Sequence, residues 1–218
     1  MSYYMLLIFD LDGTLFQAKA VVLRAAERLL DEMGAPPQDE SSILKNAGQG
    51  IDALLRNILP GNATPDAART RILELMREAI FDYGELFPGV YEAVIELHSE
   101  GHDLVLCSNS PEEYIKTVLE FTDIEYAFSR YYSVNAYPSK SDLVAELIKT
   151  DTSAIVIGDT HGDIEAAHNN DLPAIAAMYG YGNKTMLEAA EYKASSPEDI
   201  VKCIHRALGV EPNPPPCS

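Results

Sequence analysis

The chain has 218 residues, 47% hydrophobic and 23% charged, with 34 acidic against 16 basic residues and a formal charge of −18. That composition excludes a disordered or collagen-like chain and leaves room for one sizeable core, or a core with a smaller companion domain. A pI near 4.5 argues against nucleic acid or an anionic membrane as partner, because phosphate backbones would be repelled.

The first element is the apolar run from Tyr4 to Phe9, read as a buried strand that ends in Asp10 and Asp12. From Gln17 to Leu86 no strand signal follows. VVLRAAERLLDEMG, SSILKNAGQGIDALLRNIL and TPDAARTRILELMREAIFDYG instead space their apolar residues as amphipathic helices between Gly, Pro and Ser punctuation. A helix over Val90 to Ser99 then precedes a strand over Asp103 to Cys107, and Pro111 suits the first turn of a helix running to Phe121. Ser141 to Lys149 reads as helix, Ala154 to Ile157 as strand, Asp163 to Asn169 as helix and Ala174 to Ala177 as strand. ASSPEDIVKCIHRALG closes the pattern as a capped helix, and EPNPPPCS (211–218) as a flexible tail.

Alternating strand and helix predict an α/β fold with a doubly wound, parallel-sheet, Rossmann-like core. Residues 1–16 and 87–210 are expected to form that core and 17–86 an inserted all-helical cap domain. The alternative, one α/β domain with a long first crossover, is weaker, because some 70 residues far exceed what one crossover helix needs. No apolar run approaches the roughly 20 residues that span a bilayer. A cytoplasmic protein with no membrane or nucleic-acid partner, monomeric or homodimeric, is expected. Cys107, Cys203 and Cys217 are odd in number and far apart, which suggests neither a disulfide framework nor a zinc site. Cys107 reads as a small buried hydrophobe.

In a doubly wound sheet, ligands sit beyond the carboxyl ends of the strands. The residues there are Asp10, Asp12, Gly13 and Thr14 after the first strand, Ser108, Asn109 and Ser110 after the second, and Gly158, Asp159, Thr160, Gly162 and Asp163 after a later one. Converging acidic loops would repel one another unless a cation lay between them, and oxygen ligands without a His or Cys cluster favour Mg²⁺ over zinc. His161 is a minor candidate ligand. Lys140, the Ser108 hydroxyl and the turn amides near Asn109 offer donors for a phosphate. A metal, a lysine and hydroxyl donors around a carboxylate that can act as nucleophile describe phosphoryl transfer.

DLDGT (10–14), SN (108–109), Lys140 and GDTHGD (158–163), in that order, resemble the four motifs of the haloacid dehalogenase superfamily, and the helical insert resembles its cap of the phosphoglycolate phosphatase type. The resemblance implies a Mg²⁺-dependent phosphatase acting on a small phosphorylated metabolite. Asp10 would be the nucleophile that becomes an aspartyl phosphate, and Asp12 the general acid and base. Mg²⁺ would be held by Asp10, the Asp12 carbonyl and Asp159, with Asp163 in support. Thr14 would orient Asp12, and Ser108, Asn109 and Lys140 would hold the phosphoryl group. The acid at Asp12 favours phosphoryl chemistry over dehalogenation, because a halide leaves without a proton.

This chain departs from the family pattern in two places: Gln17 and Ala18 stand where an Asp-Ser pair is common, and Lys140 sits in YPSKSD rather than before proline. Taken singly, Ser108 could be a helix cap, Lys140 a solvated helix-start lysine, and the Asp10–Asp12 pair a strand ending. Mutase, phosphonate-cleaving and pyrophosphatase relatives are alternatives, as is a binding protein without turnover. The cap is expected to decide the substrate, with NAGQG (46–50) as its candidate loop; Lys19 and Lys45, its only lysines, lie in no setting that suits a Schiff base, and the mutase and phosphonate-cleaving readings rank below hydrolysis.

Overall fold

The computed structural model describes residues 4–48, 50–61, 63–149 and 153–210. The tail 211–218 with Cys217, and Gln49 of the NAGQG loop, lie outside the described residues. Six strands form one sheet: β1 (Leu6–Phe9), β2 (Asp103–Ser108), β3 (Phe128–Ser133), β4 (Ala154–Gly158), β5 (Ala174–Ala177) and β6 (Tyr192–Ala194). Their order is β3-β2-β1-β4-β5-β6, and every pairing is parallel. β1 is central, with Phe9 opposite Leu106 on one side and Ile157 on the other.

Side chains alternate across the sheet, and each face therefore gathers its own core. Leu7, Phe9, Leu106, Ile155, Ile157 and Ile175 belong to one apolar cluster; Leu6, Ile8, Val105, Val156, Ala174 and Ala176 belong to a second. Because both faces are covered, these strands read as continuous apolar runs. A truncation such as Leu7→Ala at this depth costs roughly 2–5 kcal/mol.

Between β1 and β2 lie α1 (Ala18–Glu32), α2 (Glu40–Ala47), α3 (Ile51–Ile58), α4 (Pro65–Tyr83) and α5 (Val90–Ser99). The helices α6 (Glu112–Phe121), α7 (Lys140–Leu147), α8 (His161–His168), α9 (Lys184–Leu187) and α10 (Pro197–Ala207) follow. α5, α6 and α10 cover the first face, and α7, α8 and α9 the second. In the insert, α1 buries Val21, Val22, Ala25, Ala26, Leu29 and Leu30 at helical spacing. α4 answers with Ala68, Ile72, Leu75, Met76 and Ala79, and the two helices pack together.

The chain enters and leaves the insert side by side. The Gln17 amide donates to Glu85 O at 2.8 Å and the Phe87 amide to Leu15 O at 2.9 Å, with Phe16 bridged antiparallel to Leu86. The Gln17 side chain donates to Leu86 O at 2.9 Å.

Four strands stand where the sequence places them, whereas both edge strands, β3 and β6, were not expected. β3 exposes Ser129 and Arg130 and shifts register between Leu104 and Val105, and β6 spans three residues. Neither edge carries the apolar run of a doubly covered strand. Pro111 precedes α6 as its N-cap in extended conformation instead of entering the first turn. α7 and α8 start one and two residues earlier than expected, where Ser139 and Thr160 cap them.

Candidate active site

The site forms where β1, β2 and β4 end side by side, next to the point at which the strand order reverses. The Asp10 amide donates to Ile157 O at 2.8 Å, extending the ladder one residue beyond β1 and fixing the Asp10 backbone. Leu11 turns into the apolar cluster, and Gly13, at φ 93°, begins a tight turn. A Cβ on Gly13 would strike the Asp159 carboxylate, so glycine answers here to two demands at once.

Lys140, the first residue of α7, ties three motifs together. Its Nζ donates to Asp10 Oδ1 at 2.6 Å and also to Asp163 Oδ1. Asp163 Oδ2 accepts from the Thr160 amide at 2.9 Å and the Thr160 hydroxyl at 2.6 Å, so the cap of α8 holds the acid in place. Asp159 Oδ2 accepts from the Tyr181 amide at 2.6 Å, and its Oδ1 from the Thr14 hydroxyl at 3.3 Å. Asp12 is held separately, by the Ser110 hydroxyl at 2.7 Å and the Tyr114 hydroxyl at 3.0 Å. Ser108 Oγ accepts from the Ser110 amide at 3.1 Å, which leaves its own proton to donate elsewhere.

Burial and like charge set the protonation of this cluster. Desolvation pushes Asp10 well above the usual carboxylate range, with Asp163 and Asp159 adding to it and Lys140 opposing. Desolvation also raises Asp12 to about 6 against the hydrogen bonds from Ser110 and Tyr114. Asp159 is raised to about 6 by desolvation and by Asp163. Burial alone would lower Lys140, but the Asp10 and Asp163 charges outweigh it and hold the ammonium protonated. Behind them, burial pushes the Cys107 thiol up to about 12, as suits an inert packing residue.

A cavity of about 350 Å³ lies over these residues, walled below by Asp10, Asp12, Ser108, Asn109, Asp159 and Thr160 and above by α1, the α2–α3 region and Met76 of α4. Asp10, Asp12, Ser108, Asn109 and Asp159 of the expected site thus come together on one surface. Lys140, Asp163 and Thr14 do not wall the cavity; they stand behind it. Thr14 departs from its expected part, since its hydroxyl donates to Asp159 and not to Asp12. His161 pairs with Glu165 at 3.3 Å and is no part of the acid cluster.

Sequence reasoning missed the two hydroxyls on Asp12 and the Tyr181 and Gly182 amides on Asp159. Tyr114 lies within the first turns of the helix that follows β2, and GYG (180–182) follows β5, so the strand-end rule pointed to both neighbourhoods.

Asp10, Asp159 and Asp163 each bring a carboxylate oxygen within 4.8 Å of the others, all buried. Lys140 pairs with Asp10 and Asp163 and leaves Asp159 without a cation, so the three buried carboxylates carry uncompensated negative charge and this all-oxygen donor set fits a metal ion. The Asp12 carboxylate is not part of the trio.

Parallel sheet, strand-end acids and covered cavity define an α/β protein whose ligand site lies at the carboxyl ends of its central strands. A family model described as haloacid dehalogenase-like hydrolase matches residues 7–177, and the chain belongs to that family. It is 29% identical over 202 residues to a phosphoglycolate phosphatase of Vibrio cholerae, covering 85% of this chain and 89% of that one. To a phosphoglycolate phosphatase of Aquifex aeolicus it is 27% identical over 207 residues, covering 90% and 94%. The crystal structure of a predicted phosphoglycolate phosphatase from Haemophilus somnus shares the fold, with a TM-score of 0.82 at 21% identity over 93% of this chain and 99% of that one. The chain is a hydrolase of the phosphatase type.

Proposed function

We propose that the protein is a Mg²⁺-dependent phosphatase that hydrolyses a small phosphate monoester in the cytoplasm through an aspartyl phosphate on Asp10. The observation that carries this reading is that Asp10, fixed by Lys140, and Asp12, raised to about 6, wall the same cavity. Asp10 attacks phosphorus as the bond to the leaving oxygen breaks, and Asp12 gives that oxygen its proton. Asp12 then takes a proton from the water that attacks the phosphoenzyme, which returns Asp10 to its carboxylate. Ser108 and Asn109 hold the phosphoryl oxygens. Lys140 keeps the Asp10 and Asp163 carboxylates in register.

Mg²⁺ would be held by Asp10 and Asp159, with the Asp12 carbonyl and Asp163 in support, and bound there it would neutralise charge on the transferring group. Residues 17–86 act as the cap, excluding water from the core formed by 1–16 and 87–210. The named relatives, phosphoglycolate phosphatases, support a phosphorylated small molecule as substrate. Phosphate release from an aryl phosphate with MgCl₂ tests the reading. Asp10→Asn should lower the rate by on the order of 10³-fold or more; equal rates in the two proteins would overturn the mechanism.

A further inference from the structure

The roof of the cavity differs in chemistry from its floor. The insert contributes Val22, Leu44, Ala47, Ile51, Leu54 and Met76, with backbone at Gly48 and Gly50. Among the described residues, the only polar side chains it brings to the wall are those of Lys19 and Lys45. Among the described residues it brings no carboxylate, amide, hydroxyl or imidazole. A polyhydroxylated alcohol would leave hydroxyls facing aliphatic carbon, each unsatisfied group costing free energy. The cavity of about 350 Å³ has room for about a dozen waters, far more than a two-carbon acid fills beside its phosphate.

The placement of the cations is selective. Lys19 and Lys45 are the only lysines between residues 17 and 86, and both wall the cavity. None of the six arginines in that span does, and Arg24, Arg28, Arg69 and Arg71 pair with acids on the outside. Lys19 lies over the Tyr181 ring, 4.2 Å from its centroid, which sets its ammonium between insert and core. Neither lysine has an ion pair among the described residues.

We propose that the alcohol half of the substrate is an apolar body larger than glycolate, ended by an anionic group, and neither a sugar nor an aminoalcohol. The inference rests on the phosphatase reading for the position of the phosphate; the shape and chemistry of the roof supply the rest. A phosphate on the floor beside Asp10 directs its ester chain to the aliphatic wall, and the lysines meet its far end.

The test is calorimetric binding of alkylphosphonates to the whole protein with Mg²⁺, which needs no turnover. Affinity should rise from ethyl- through butyl- to hexylphosphonate by roughly fourfold per methylene, and Leu54→Asn should flatten that rise. An ω-carboxyalkylphosphonate should bind at least tenfold tighter than the ω-amino compound of equal length, a preference narrowed by Lys45→Met. Circular dichroism of both variants separates these effects from misfolding. Hexylphosphonate binding no better than ethylphosphonate, or the amine binding as well as the acid, would overturn the proposal. Phosphate release from the matching alkyl phosphates is read alongside. If the chain-length rise appears but no ester is hydrolysed, the phosphatase reading fails and the assignment of the cavity stands.

Discussion

The floor and the roof of one cavity follow opposite rules. On the floor and just behind it every carboxylate is committed: Asp10 to Lys140, Asp163 to Thr160 and Lys140, Asp159 to the Tyr181 amide and Thr14, Asp12 to Ser110 and Tyr114. On the roof the wall is aliphatic apart from Lys19 and Lys45, and the ion pairs lie on the outer surface, where Arg71 meets Glu32 and Arg28 meets Glu78. Preorganised charge is effective in chemistry because it needs no rearrangement as the reaction proceeds. An aliphatic wall discriminates by size and accepts small shifts in shape. The contrast teaches that reaction and selectivity are separable in this molecule, and substitutions on the two sides should fail in different ways.

The largest effect is expected from Lys140→Met. It leaves Asp10 and Asp163 without their shared cation, so turnover should fall by on the order of 10²-fold or more, and stability by about 3–5 kcal/mol at neutral pH. Urea unfolding should show that deficit shrinking as pH falls and the acids protonate. A deficit independent of pH would mean that the lysine acts through packing alone.

Next comes the metal-free protein. Asp12 and Asp159 ordinarily titrate near 3.8 and are raised to about 6 by folding. Between those values the folded state binds more protons than the unfolded. Its stability therefore falls as pH rises from about 4 to about 6 and stays at the lower level above, a loss on the order of 2 kcal/mol or more. Mg²⁺ favours the ionised carboxylates, so the gain in Tm on adding it should be larger at pH 7.5 than at pH 5. The reverse order would exclude Asp159 as its ligand.

Tyr114→Phe takes one of two donors from Asp12 and leaves the metal trio untouched. Turnover of alkyl phosphates should drop about tenfold, and that of aryl phosphates, whose leaving group needs less help from an acid, by less. Equal losses would assign Tyr114 to packing. On the outside of the roof, Arg71→Ala breaks ion pairs whose side chains remain about a third exposed or more. It should cost less than about 1 kcal/mol in urea unfolding and leave turnover alone.

What could be read in advance follows the same division. The central strands were legible because burial on both faces writes them as unbroken apolar runs, while β3 and β6, half-wetted at the edges, carry no such mark. Asp10, Ser108 and Asp159 were legible because a parallel sheet delivers the residues after its strands to one crevice. The partner of a hydroxyl was not. Thr14 is adjacent in sequence to the Asp12 turn, yet its Oγ1 reaches across to Asp159, a choice made by the Gly13 turn that brings the two loops within contact. Helical spacing located the insert but could not show that both of its lysines face inward, since that depends on how α1 and the α2–α3 region lean over the sheet.

The paired segments at the base of α1–α4 bear on how such a protein can change. Because Gln17 and Glu85 are hydrogen-bonded neighbours, the chain enters and leaves α1–α4 at one place, and the length of that segment adds little to the closure entropy of the β1–α5 connection. A module of different size could be grafted between those two residues without altering the order of the sheet or the acids at its edge. What the graft must reproduce is the apolar face that α4 turns toward α6, where Phe81 meets Phe121. The shared entry and exit are what would let the roof be exchanged.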